Sequence, residues 1–344
     1  MYGAVWKTSD VGGVCSFGRA GSSYLSLCMI EYEPLNFSDR TIRTPGCADA
    51  GRVVAAPSPR PRESFPLRPA LGDLVNLARY PIGDLASAEG RALVEKARSD
   101  LAATGCASFP CFLMEAALSD AVAEATAAAP SAFATDDTHN AYQLSTDAKL
   151  GPEHVRNKQM RTRVASTACD ELDSSRAIRA LYASDELLGL VKAITGRSVH
   201  RLADPLGAAS INVFRSGWAH AWHYDESEFT VTLSLVQAAE GGAFEFTEPL
   251  RRSVDDLAFE TTAAVINDHS EYAVEPAGAA CPSVRTAPFA PGTLQIFAGR
   301  TSLHRVSEVK GERLVAVYCF SDIEGFVNSP EVQRMFWGRA VRPD

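Results

Sequence analysis

Three residues carry ligand chemistry: His223 and Asp225, two positions apart in Trp222-His223-Tyr224-Asp225-Glu226, and His304 in Ser302-Leu303-His304-Arg305-Val306. In an extended strand successive side chains alternate faces, so His223 and Asp225 point to one side and Tyr224 to the other. Brought in from a distant strand, His304 completes a two-histidine, one-carboxylate facial triad. Such a set holds iron(II) and leaves positions open for oxygen and a co-substrate. His220 could replace His223 in an HxxH arrangement, but that arrangement lacks the carboxylate. A lone HxD arises by chance on any strand with a polar face, so the weight lies in the elements around it.

From about residue 208 the chain consists of short apolar or alternating runs separated by turn signals. Ala209 to Phe214, Phe229 to Val236, Ala243 to Thr247, Thr262 to Ile266, Thr293 to Phe297 and Leu314 to Phe320 read as strands, with turns at Gly241-Gly242 and Pro291-Gly292. Many short strands of this kind imply a sandwich or closed roll. Upstream, helical spacing runs from Leu85 to Ala103, from Glu115 to Ala129 and from Ser174 to Ile194, with a short strand from Cys106 to Leu113. Ser329-Pro330 reads as a cap and first residue of a last helix. The stretch Asp136 to Gly151, followed by Arg156, Lys158, Arg161 and Arg163, reads as a polar loop, either plainly solvated or facing a substrate. Residues 1–70, with the proline-rich Ala55 to Arg62, read as a poorly ordered N-terminal extension, and 71–344 as the main domain.

Composition narrows the function classes. Of 344 residues 46% are hydrophobic and 22% charged, the usage of an ordinary globular chain. With 33 basic against 42 acidic residues the net charge is −9 and no basic block stands out, which argues against nucleic acid as a partner. No apolar run approaches the roughly 18 residues of a membrane span. The eight cysteines are scattered without a CxxC pair, which suits buried free thiols in the cytoplasm; an organelle address in the N-terminal extension stays open. A monomer or homodimer acting on a small molecule is expected. There is no internal repeat, phosphate-binding glycine loop or GxSxG elbow, so the chemistry falls to histidines and carboxylates.

The order HxD (His223, Asp225), then Pro291-Gly292-Thr293-Leu294-Gln295-Ile296-Phe297, then His304-Arg305-Val306, then Gly311-Glu312-Arg313 resembles the iron(II)- and 2-oxoglutarate-dependent oxygenases, in particular small-metabolite hydroxylase-like members. The likeness covers roughly residues 80 to 340. It implies an α+β fold whose core, about 205–322, is a double-stranded β-helix (jelly roll) with supporting N-terminal helices. It implies that His223, Asp225 and His304 bind Fe(II) and that Arg313 binds the distal carboxylate of 2-oxoglutarate, with O2 as second co-substrate. Physical chemistry points the same way for Arg313: alternation sets it at the head of the apolar row Val315, Val317, Cys319, where a buried guanidinium needs an anion and matches a carboxylate with two hydrogen bonds. A surface pair with Glu312 or Glu308 is the competing reading.

Similar enzymes also place co-substrate or substrate contacts around Asn212 and Arg215; Trp222 flanks the metal pair and Arg300 precedes the distal histidine. Val315 departs from many relatives, which carry a small hydroxyl residue two positions after this arginine, so the resemblance implies one hydrogen bond fewer to the co-substrate. Related halogenases have Gly or Ala where this chain has Asp225, so the open position they use for chloride is not available here. The activity implied is oxidation of a C–H bond, hydroxylation by default, in a small polar metabolite such as an amino acid or derivative. Two rivals are a cupin-like jelly-roll module that only binds a ligand, and an iron oxidase that does not use 2-oxoglutarate.

Overall fold

Apolar residues recur at every second position of Phe229–Val236 (Phe229, Val231, Leu233, Leu235) and of Glu312–Ser321 (Leu314, Ala316, Tyr318, Phe320), and these segments form the middle of a large antiparallel sheet. In the computed structural model, residues 68–253, 255–268 and 282–341 are described. The expected extension over residues 1–70 lies outside them, apart from its last three positions. The sheet runs in the order Cys106–Phe109, Leu294–Phe297, Phe229–Val236, Glu312–Ser321, Ala209–Arg215, Met160–Thr167, Phe133–His139, and His200–Arg201 pairs with Glu312–Ser321 as well. A smaller antiparallel sheet runs Val284–Thr286, Phe244–Pro249, Ser302–Val306, His220–His223. From residue 209 to 321 the principal strands alternate between the two sheets, except that Val284–Thr286 follows Phe244–Pro249 within the smaller one.

Helices cover the outer face of the larger sheet. Ala121 and Ala125 of Glu115–Ala128, Ile178 and Leu181 of Ala177–Ala183, and Leu187 and Leu190 of Asp185–Thr195 form one buried cluster with Val231, Leu233, Leu314 and Tyr318. Each Leu, Ile or Val side chain among them contributes about 1.5–3 kcal/mol on burial. Some helix starts carry a serine cap. Ser87 Oγ accepts from Gly90 N ahead of Ala88–Thr104, and Ser329 Oγ accepts from Val332 N at the start of Pro330–Trp337. Gly105, with φ +84°, ends the first of these; a Cβ there would lie 2.7 Å from Ser302 Oγ, so helix and metal-side strand meet only because the residue is glycine.

Three expectations are corrected. Thr262 to Ile266 is not a strand but part of the helix Phe259–Asp268; its buried positions Thr262, Val265 and Ile266 have helical spacing, which a short β-branched run conceals. The segment Ser174 to Ile194 is two helices, because Ser184 leaves helical geometry to cap the second through Leu187 N. The polar loop begins as the strand Phe133–His139, paired with Met160–Thr167; there Arg161 makes two hydrogen bonds to Asp136, at 2.8 and 2.9 Å. The cysteines among the described residues, Cys106, Cys111, Cys169 and Cys319, are free, and Cys111 is exposed rather than buried. Among the described residues no helix is long and apolar enough to cross a membrane.

Candidate metal centre and its cavity

The smaller sheet brings the two histidines together, since His223 and His304 are register partners on neighbouring strands. Asp225 follows two residues after its strand ends, with its N–H donating to Gly299 O at 3.0 Å. Tyr224 turns away as alternation requires, and stacks on Tyr142 with ring centroids 5.6 Å apart. Asp225 Oδ1 lies 3.4 Å from His223 Nε2 and 3.4 Å from His304 Nε2, and one ligand atom from each residue falls within 4.8 Å of the others. Both imidazoles are fixed in one tautomer. His223 Nδ1 donates to Ala221 O at 2.8 Å and His304 Nδ1 to Ser302 O at 2.9 Å, which turns each Nε2 lone pair toward the carboxylate. The donor set and its tautomers fit a divalent metal of the iron type.

Burial sets the charges. Desolvation alone would raise the Asp225 carboxyl, but the facing His304 and His223 outweigh it and hold it well below the usual carboxylate range. Burial, followed by the neighbouring His304, lowers His223 and keeps it neutral, as a ligand must be. His220 stacks on His223 at 3.9 Å between ring centroids, and burial, with the neighbouring histidines, pushes it well below the ordinary histidine value. His139, edge-on to both, is pushed down to about 4, chiefly by burial.

One cavity, of about 910 Å³ including its open mouth, joins this cluster to Arg313. The row Arg313, Val315, Val317, Cys319 lines it as alternation predicts. Arg313 is 5% exposed. Its guanidinium lies 5.3 and 5.5 Å from the ring centres of Phe214 and Phe289; among the described residues it has no ion-pair or hydrogen-bond partner. Burial pushes it down to about 10. The surface pairing with Glu312 or Glu308 is therefore excluded.

Asn212 also faces the cavity, where its Oδ1 accepts from Ser166 Oγ at 3.1 Å. Three other expected contacts, Arg215, Trp222 and Arg300, do not line it. Arg215, one strand position out of phase with Phe214 and Asn212, is exposed and lies over Trp218. Trp222 is buried in a separate apolar cluster with Leu303 and Tyr224, beneath Arg305. Arg300 pairs with Glu228 at 3.0 Å and donates through Nε to Glu226 O at 3.0 Å, bracing the turn after Asp225 rather than facing the cavity.

The cavity also holds residues that sequence reasoning missed. Gln143, with φ +53°, donates through Nε2 to Tyr224 O at 3.0 Å, while its buried Oε1 has no partner among the described residues. Its only sequence signal was its place in a polar stretch. Glu226 accepts from Ser329 N (2.9 Å) and Ser329 Oγ (2.7 Å), tying the HxD turn to the helix Pro330–Trp337, whose Val332, Phe336 and Trp337 close one side.

The chain belongs to the Halogenase D family, whose model matches residues 91–331. This membership accords with the resemblance read from its motifs, to the iron(II)- and 2-oxoglutarate-dependent oxygenases. Similar solved structures include the non-heme alpha-ketoglutarate-dependent epimerase SnoN from nogalamycin biosynthesis, at 14% identity and TM-score 0.45 over 67% of this chain and 83% of that one. The carbocyclase SnoK from the same biosynthesis is 14% identical at TM-score 0.46, over 73% of this chain and 94% of that one. A 2OG-Fe(II) oxygenase family member from Burkholderia pseudomallei is 18% identical at TM-score 0.41, over 72% and 94%. Comparison with curated proteins finds no match.

Proposed function

We propose that this protein is an iron(II)- and 2-oxoglutarate-dependent dioxygenase that hydroxylates a C–H bond of a small polar metabolite, with an amino acid or derivative as the favoured class. The observation that carries the reading is Arg313: a buried guanidinium without a partner among the described residues shares one cavity with a preformed two-histidine, one-carboxylate cluster. A buried cation without an anion is costly, and a dicarboxylate bound at the metal supplies the anion. A module that merely binds a ligand needs neither feature. The alternation of strands between two sheets supports a double-stranded β-helix, and the free thiols support a cytoplasmic setting.

Iron(II) and 2-oxoglutarate, when bound, supply oxidation by O2 that yields succinate, carbon dioxide and hydroxylated product. The chain does the rest. His223 and His304 offer Nε2 and Asp225 offers Oδ1, while Arg313 holds the far carboxylate. Thr232 Oγ1, buried in the lining without a partner among the described residues, supplies on the adjacent strand a hydroxyl that Val315 lacks. Val315, Val317, Phe244 and Phe297 exclude water from the reacting end, and Gln143 Oε1 with His220 Nε2 offers polar atoms, unpaired among the described residues, to orient a substrate. Although the family is named for halogenation, Asp225 fills the coordination position that halide would need; a Cβ at residue 299 would lie 2.1 Å from Asp225 Oδ2, so the chain has made room for this carboxylate. That argues against halogenation and leaves hydroxylation as the default outcome. The test is succinate release against a panel of amino acids and small carboxylates, with the hydroxylated product identified by mass; chlorinated product in chloride buffer, or turnover without 2-oxoglutarate, would overturn it.

A further inference from the structure

We infer that Thr230 is a positioning residue which fixes Asp225 as a one-oxygen ligand, with Gly299 providing the space; the inference rests on the metal reading above. A carboxylate on a turn can offer a metal one oxygen, offer both, or swing away. Here the choice is made by the protein. Thr230 Oγ1 donates to Asp225 Oδ2 at 2.5 Å, a short charge-assisted bond that occupies this oxygen and leaves Oδ1 facing the two imidazoles. Because Oδ2 can only accept, the single Thr230 proton is committed to it. Ser227 Oγ, 3.4 Å from Thr230 Oγ1, is placed to donate in turn.

The anchor is stiff where the ligand is not. Thr230 lies on Phe229–Val236, between Leu294–Phe297 and Glu312–Ser321 in the larger sheet, whereas Asp225 sits in the turn beyond the end of its own strand. One hydroxyl thus ties a ligand of the turn, beside the smaller sheet, to the centre of the larger one. The residue at 299 must also have no side chain, since a Cβ there would lie 2.1 Å from Asp225 Oδ2 and 2.8 Å from Asp225 Cγ. A ligand held through one oxygen leaves the remaining positions for the co-substrate carboxylate and oxygen.

The experiment is anaerobic iron(II) titration of the wild type, Thr230→Val, Thr230→Ser and Gly299→Ala, with thermal unfolding of each metal-free protein alongside. Valine matches threonine in shape but lacks the donor, so its iron(II) dissociation constant should rise about tenfold or more, the usual effect of removing a bond to a ligand. Serine should restore affinity to within about threefold of wild type, and Gly299→Ala should lose at least as much as valine. The metal-free valine variant should unfold within a few degrees of wild type. Should it fail to fold, Thr230→Ala, which also lacks the donor, decides by the same readout. Wild-type affinity in Thr230→Val, or in Thr230→Ala where that variant decides, overturns the role of Thr230 and leaves the metal reading standing. A wild type that takes up no iron(II) overturns the metal reading, and this inference with it.

Discussion

The two faces of the strand Glu312–Ser321 carry opposite tasks. Leu314, Ala316, Tyr318 and Phe320 point to the helices and are fully buried in the main apolar cluster. Arg313, Val315, Val317 and Cys319 point into the cavity, and the row begins with a cation that no group among the described residues neutralises. The same contrast holds on Phe229–Val236, where Val231 and Leu233 pack outward while Thr230 and Thr232 line the cavity. One face supplies stability and the other forgoes some of it to keep polar groups ready for ligands.

The largest test of this division falls on the ligands themselves. Asp225→Ala removes the only anionic donor, and His304→Ala removes half of the neutral ones, so either should weaken iron(II) binding by more than about a hundredfold, beyond the range seen when only a supporting bond is lost. Circular dichroism and thermal unfolding of the metal-free variants should stay near wild type. Unchanged iron(II) binding in both would remove the metal assignment. On the helix-backed face the pattern should invert. Leu233→Ala, at a position 1% exposed, should cost about 2–5 kcal/mol of stability while leaving iron(II) affinity within about threefold.

Arg313 sharpens the comparison because its two effects should have opposite signs. Arg313→Ala should reduce apparent 2-oxoglutarate affinity about thirtyfold or more, roughly 2 kcal/mol, read from the visible charge-transfer band under anaerobic iron(II). Arg313→Lys should recover only part, because an ammonium cannot reproduce the planar fork. Iron(II) binding should persist in both. Arg313→Met, which replaces a buried charge without a partner among the described residues by an apolar side chain of similar length, should raise the unfolding temperature of the ligand-free protein. Equal titrations in all variants would remove 2-oxoglutarate from the proposal.

What could be read from the sequence follows the same division. Phe229 to Val236 was legible to the residue because its pattern is uninterrupted, and the His223, Asp225, His304 and Arg313 set was legible because strand alternation and motif order are local facts. The edge pair Phe133–His139 and Met160–Thr167 was hidden, since an edge strand with exposed, charged side chains has the composition of a loop. Thr230, Gly299 and Gln143 were not legible. Each acts through a neighbour that only the folded chain brings near: the carboxylate of Asp225 for the first two and the carbonyl of Tyr224 for the third.

The smallest expected effect belongs to Arg215, which shares the strand Ala209–Arg215 with the cavity residues Ser210, Asn212 and Phe214 but lies out of phase with them. Its guanidinium donates to Ala129 O at 3.3 Å and lies 5.2 Å from the Trp218 ring centre, contacts on the exposed side of the molecule. An exposed cation–π contact and a long hydrogen bond together contribute about 0.5–1 kcal/mol. Arg215→Ala should therefore lower the unfolding temperature by a few degrees at most and leave 2-oxoglutarate titration of the iron(II) protein within about twofold. Asn212→Ala, three positions earlier on the cavity face, should weaken that titration more than Arg215→Ala does. A tenfold loss in Arg215→Ala would mean that its side chain reaches the ligand, and that strand alternation is not what sorts this sheet into a supporting face and a working one.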